Sequence, residues 1–201
     1  MLRHDDPLPH RPRRVVVAGV SGAGKTSLAR RLAPVLDAPH TEIDALFHGR
    51  GWAPREQFLD DVRTLVARDA WTTEWQYRPA RPILTARADL LVWLDLPFAT
   101  VTLPRLVRRT IRRRLRREVL WNGNVEPPLW TLLTDPEHVV RWAIATRHKD
   151  RERIPQLTTR FPRLTIVRLR TPRDVERWVA GPLADHWAPA TGEPRPLRWR
   201  A

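Results

Sequence analysis

The chain has 201 residues, 42% of them apolar, which is enough for one well-buried α/β domain and few for two. It has no cysteine, excluding disulfides, thiolate metal sites and thiol catalysis, and no apolar run long enough to span a membrane as a helix. Net charge is +14, and only Lys25 and Lys149 among its 36 basic residues are lysines.

Residues 1–12 are polar and proline-rich and read as a disordered lead-in. They lack the apolar stretch of a secretory signal, so a cytoplasmic location is expected. Residues 13–18, with Val15, Val16 and Val17 in succession, predict a strand buried on both faces. Leu28, Ala29, Leu32 and Leu36 fall at helical spacing after Lys25, and residues 40–44 read as a second strand. Phe58, Val62, Leu65 and Val66 form one stripe of a helix over 54–67. Strands are expected at 70–74 and 90–94, then a long helix over 98–117 bent at Pro104. After a loop with Asn122, Gly123 and Asn124, Asp135-Pro136 starts a helix running to about 153. Residues 165–169 make a fifth strand, and Thr171-Pro172-Arg173-Asp174 opens a last helix with capping-box character. The tail, 181–201, is rich in proline and arginine and reads as disordered. Strands alternating with helices imply a parallel sheet with right-handed crossovers, so the fold class is α/β.

The informative segment is Gly19-Val20-Ser21-Gly22-Ala23-Gly24-Lys25-Thr26, which fits the phosphate-binding pattern G-x-x-x-x-G-K-[ST] between a predicted strand and a predicted helix. Glycines let the backbone curl so that amides, including those of Ser21, Ala23 and Ser27, face phosphate oxygens. The start of the helix adds the positive end of its dipole. Lys25 then reaches the β- and γ-phosphates, and Thr26 holds magnesium. In a chain that writes nearly every cation as arginine, a lysine here is chosen for its geometry. The glycine spacing is not the one a dinucleotide fold needs. Neither lysine follows an asparagine, so the guanine-reading N-K-x-D motif of GTPases is missing. ATP and Mg2+ are the expected cofactors, and a compact kinase is the expected class.

Together with His40-Thr41-Glu42-Ile43-Asp44-Ala45-Leu46-Phe47, Gly51-Trp52, the segment from Trp71 to Tyr77 and Leu94-Asp95-Leu96-Pro97, the chain resembles the adenylate-kinase-like P-loop kinases. Among them it is similar to the small bacterial group named for DNA topology modulation. The resemblance implies a three-layer P-loop NTPase fold over 13–180 with a five-stranded parallel sheet, a short acceptor-binding region and a lid at about 105–130. Asp44, at the end of the second strand, would orient or deprotonate an acceptor hydroxyl, or else cap the following turn. Glu74 would stand where such kinases place a magnesium-site aspartate, with Asp95 the rival candidate. Arg109 and Arg113, from the row Arg105, Arg109, Arg113, would stabilise the transferring phosphate, with Arg109 also on the nucleotide. Arg147 and Arg151 would clamp from the other side, and Thr171 with Pro172 would lie beside the adenine.

Trp71, Trp93 and Trp142 are expected in the core, while Trp52 and Trp75 are expected to line an acceptor pocket. His40 and His48 flank Asp44 without helical metal spacing and read as structural. The expected partner is a small phosphate acceptor. The basic helix also suits nucleic acid, leaving open a nucleic-acid-associated ATP-binding regulator or a kinase of nucleic-acid ends. No membrane partner is expected.

Overall fold

The structure, a computed structural model, describes residues 1–135 and 138–186. Four strands form its sheet: β1 (Arg14–Ala18), β2 (Trp71–Glu74), β3 (Leu90–Leu94) and β4 (Thr165–Leu169), in the spatial order β2-β1-β3-β4. Every pairing is parallel, with Val16 opposite Thr73 on one side and Leu91 on the other, and Leu91 opposite Ile166. Nearly continuous apolar strands suit such a sheet, because successive side chains enter opposite cores. Val15, Val17, Leu90, Val92 and Val167 face α1 (Lys25–Leu36) and α9 (Pro172–Trp178). Val16, Leu91, Trp93 and Ile166 face α3 (Phe58–Val66), α4 (Ala80–Arg87) and α8 (Lys149–Arg160). The result is three layers.

The expected strand at 40–44 is not a strand, so the sheet has four members rather than five. Thr41 N–H donates to the Thr72 carbonyl at 2.9 Å, and Thr72 N–H donates to the Pro39 carbonyl at 2.9 Å. The chain then turns into α2 (Ile43–Phe47). The cause is local: Ile43 N–H donates to the Glu74 carboxylate at 2.9 Å, so the edge stops and a helical turn begins there.

Residues 1–12, read as disordered, carry structure. Leu2 N–H donates to the Ile166 carbonyl at 2.7 Å, Arg168 N–H donates to the Leu2 carbonyl at 2.9 Å, and Leu8 is buried in the core beside β1. Leu2 thus pairs along the outer side of β4, an edge otherwise open to pairing.

The long helix over 98–117 resolves into a π-turn (Phe98–Thr102) and α5 (Leu103–Leu115). Pro104 sits in the first turn of α5, where its missing N–H has no partner to lose. The helix expected to reach 153 breaks after α7 (Val139–Thr146), which follows the short α6 (Thr131–Thr134), and resumes as α8. Its expected start at Pro136 lies outside the described residues, as does the tail from 187 onward. Trp71 and Trp93 are core residues, but Trp142 is 54% exposed on α7, with the Lys149 ammonium 5.4 Å from its ring centre. No helix among the described residues is long and apolar enough to cross a membrane.

Candidate active site

The carboxyl ends of the strands, where open α/β sheets bind ligands, gather the sequence-predicted residues. β1 runs straight into the loop from Gly19, and α1 begins at Lys25. Two glycines are required by geometry. Gly24 caps α1 at φ 95°, and Gly22 at φ 87° presses so closely on α5 that a Cβ would lie 2.7 Å from Leu106 Cβ and from the Thr102 carbonyl. The Val20 carbonyl accepts from Ala23 N–H at 3.1 Å and from Lys25 Nζ at 3.2 Å, folding the lysine back over its own loop. The first turn of α1 has no acidic residue, so no carboxylate of its own neutralises the positive dipole end. Burial pushes the Lys25 ammonium below its ordinary value, while Asp44, Asp150 and Glu74 pull it up. Ser21 is partly buried and Ser27 exposed at the start of α1.

Glu74, 1% exposed, ends β2 beside this loop. Its carboxylate lies 3.2 Å from His40 Nε2, accepts from Ile43 N–H, and has the Thr26 hydroxyl close enough to lower its proton affinity. Burial raises its proton affinity, but these donors outweigh burial and hold it below the usual carboxylate range. A hydroxyl and an ionised carboxylate side by side at the glycine loop fit a magnesium ion, which takes few protein ligands beside phosphate oxygens and water. The alternative, Asp95, is occupied: Arg151 Nε donates to Oδ1 at 2.9 Å, and Arg168 Nε donates to Oδ2 at 2.9 Å. That pairing also removes Arg151 from a phosphate clamp, and Arg147 is exposed, donating to the Ile144 carbonyl at 2.6 Å.

Asp44 lies in the first turn of α2, near Lys25 and Glu74. Oδ1 accepts from Gln76 Nε2 and from the Tyr77 hydroxyl, each at 2.7 Å. Burial pushes this carboxyl above the usual range, opposed by the Tyr77 hydrogen bond and the Lys25 charge. The rings of His48, Trp52 and Trp121 pack beside it, with His48 and Trp52 centroids 5.0 Å apart. Trp75 is not a pocket residue. It is buried, its indole N–H donates to Thr85 Oγ1 at 2.8 Å, and the Arg81 guanidinium lies 4.7 Å from its ring.

A loop after α5 closes over this side of the site. Asn124 Nδ2 donates to the Gly49 carbonyl at 2.8 Å, Asn124 Oδ1 accepts from Trp52 N–H at 3.1 Å, and Asn122 Nδ2 donates to the His48 carbonyl. From α5, Arg109 and Arg113 are drawn inward, while Arg105, Arg108 and Arg112 stay exposed. Arg113 pairs with Glu126 at 3.5 Å and Glu118 at 3.7 Å. Arg109 makes no ion pair among the described residues, and its buried Nε has no hydrogen-bond partner. Burial and the neighbouring Arg113 lower its proton affinity, while Glu126 and Asp44 raise it. Such a guanidinium is poised for an anion.

Thr171 caps α9 in a reciprocal box with Asp174, accepting from its N–H at 3.1 Å and donating its own to the carboxylate at 2.9 Å. The structure therefore brings Lys25, Thr26, Asp44, Glu74 and Arg109 near one another at the carboxyl end of the sheet. It adds Gln76, Tyr77, Asn122 and Asn124, for which the only signal in the sequence was a loop of two asparagines around Gly123 and the segment ending at Tyr77.

No protein-family model matches the chain. Among solved structures it is similar to a gluconokinase from Sinorhizobium meliloti 1021, with 21% identity and a TM-score of 0.50, covering 89% of this chain and 95% of that one. A sugar kinase from Janibacter sp. HTCC2649 aligns more loosely, with 23% identity and a TM-score of 0.45 over 85% of this chain and 96% of that one. At 21% identity the likeness to the gluconokinase is one of fold, a parallel sheet flanked by helices.

Proposed function

We propose that the chain is an ATP-dependent kinase that moves the γ-phosphoryl group of ATP to a hydroxyl of a small acceptor. The observation that carries this reading is that Lys25, Asp44 and Arg109 come together at the carboxyl end of the sheet. Asp44 and Arg109 both act on the Lys25 ammonium, and Asp44 acts on Arg109, although the three come from the loop after β1, the turn after the sheet edge and the helix beyond the π-turn. Lys25 and the loop amides hold the polyphosphate, and Thr26 with Glu74 would hold a magnesium ion, which would neutralise phosphate charge. Asp44 accepts the hydroxyl proton as the acceptor oxygen bonds to the γ-phosphorus, and the bond to the β-phosphate oxygen breaks with its electron pair leaving on ADP. Arg109 stabilises the charge spread over the equatorial oxygens.

The asparagine loop closing over Asp44 favours a small acceptor rather than a polymer. Because a gluconokinase shares the fold, sugar acids and sugars belong first in an acceptor panel, beside nucleosides and nucleoside monophosphates. Acceptor-dependent ADP release, read in a coupled assay, is expected for one class, and Lys25→Met should lower turnover by about 100-fold or more. Hydrolysis indifferent to every acceptor, or full activity in Lys25→Met, would overturn the reading. The exposed Arg105, Arg108, Arg116 and Arg117 favour a second reading, in which the accepting hydroxyl ends an oligonucleotide. That version requires turnover of oligonucleotide ends that falls steeply with salt.

A further inference from the structure

Two donors converge on one oxygen of Asp44 and none reaches the other. Oδ1 takes both the Gln76 amide and the Tyr77 hydroxyl at 2.7 Å, while among the described residues nothing hydrogen-bonds Oδ2. The Tyr77 hydroxyl also lies 3.0 Å from His48 Nε2. A hydroxyl that donates to a carboxylate has only lone pairs left for the imidazole, so the contact is satisfied when Nε2 carries the proton. The rings are held in place. Tyr77 stacks on Phe47 with centroids 3.8 Å apart and meets Phe58 edge-on, and His48 is packed between Trp52 and Trp121. Tyr77 and Trp52 have φ of 57° and 65°, a conformation non-glycine residues adopt at a cost and hold where their surroundings enforce it.

We infer that Tyr77 is a positioning residue for Asp44, which with Gln76 occupies Oδ1 and leaves Oδ2 to receive the acceptor's proton, and that His48 fixes the direction of the Tyr77 hydroxyl. This rests on the kinase reading, in which Asp44 is the group that takes the proton. The consequence is directional. A carboxylate fixed through Oδ1 presents Oδ2 in one plane, so the acceptor hydroxyl is oriented before phosphate arrives. The hydroxyl bond also favours the ionised form of Asp44 against burial. The other charges facing Asp44 are Lys25 from the phosphate loop, Glu74 from β2, His48 after α2 and Arg109 from α5.

The test is Tyr77→Phe in the full chain, which keeps the ring stack and removes only the oxygen, measured over a pH series with the acceptor that supports turnover. Turnover should fall by about 10- to 100-fold with KM for ATP unchanged, in line with losing an orienting partner of a reacting group. The acid limb of the kcat profile should move to higher pH, because a donor to the charged form has gone. His48→Phe should move the limb the same way by less, and Tyr77→Phe should cost nothing further on an Asp44→Asn background. An unmoved acid limb in Tyr77→Phe, or additive losses with Asp44→Asn, would overturn the assignment while leaving the kinase reading intact. If the unaltered protein turns over no acceptor, the kinase reading has failed, and carbon-13 NMR of the Asp44 carboxyl still judges the contact. There an upward shift of its titration in Tyr77→Phe supports it, and an unchanged midpoint refutes it.

Discussion

Glu74 is the residue where folding and candidate chemistry are hardest to separate. It is almost wholly buried and is held ionised by His40, Ile43 N–H and Thr26. A carboxyl depressed in the folded state adds stability above its unfolded value of about 4.5, and that stability is lost as pH falls through the lower folded value. Glu74→Gln should therefore cost about 1–3 kcal/mol at neutral pH by leaving its donors poorly paired. It should also flatten the loss of stability on acidification below pH 4.5, as urea unfolding at a series of pH values will show. The glycine loop at 19–26 was legible in the sequence because its residues are consecutive, and it lies between a strand and a helix as expected. Tyr77 and Asn124 were not, because each meets its partner only after the sheet has brought distant segments together. Trp142 was misplaced because helical spacing marks a stripe without saying whether anything covers it.

At the scale of elements, strands in the middle of the sheet were readable from apolar runs, and the edge was not. Residues 40–44 have strand composition, yet a single carboxylate from β2 captures Ile43 N–H and ends the pairing after Thr41. The cap on α9, by contrast, was written in four consecutive residues and formed as expected. Thr171→Ala should cost about 1 kcal/mol of stability, seen as a lower urea midpoint. ATP affinity should be unchanged if any nucleotide contact there runs through backbone groups, and calorimetric titration separates the two effects. The long helix over 98–117 divides at the π-turn, and this division puts Thr102 and Leu106 against Gly22.

For the whole molecule, the N-terminal segment matters more than its composition suggested. Proline and charge made residues 1–12 read as unstructured, but Leu2 extends the pairing beyond β4 and Leu8 fills the core beside β1. Leu8→Ala should cost roughly 2–5 kcal/mol, the range for truncating a buried leucine, with a matching fall in thermal midpoint. Removal of residues 1–12 should do at least as much. A loss within error in both variants would show the segment to be dispensable. The +14 charge, by contrast, did not predict fold, and its arginines divide between ion pairs such as Arg14 with Asp89 and the exposed face of α5.

A loop that leaves no space for a methyl group beneath a helix also leaves that helix no slack. α5 is braced at its first turns by Gly22, whereas its far end carries Arg113 and leads into the asparagine clasp. On the proposed kinase reading, a change in the loop around a triphosphate would reach α5 first through Gly22, and the clasp at the far end of that helix would be the place to look for its effect on the acceptor.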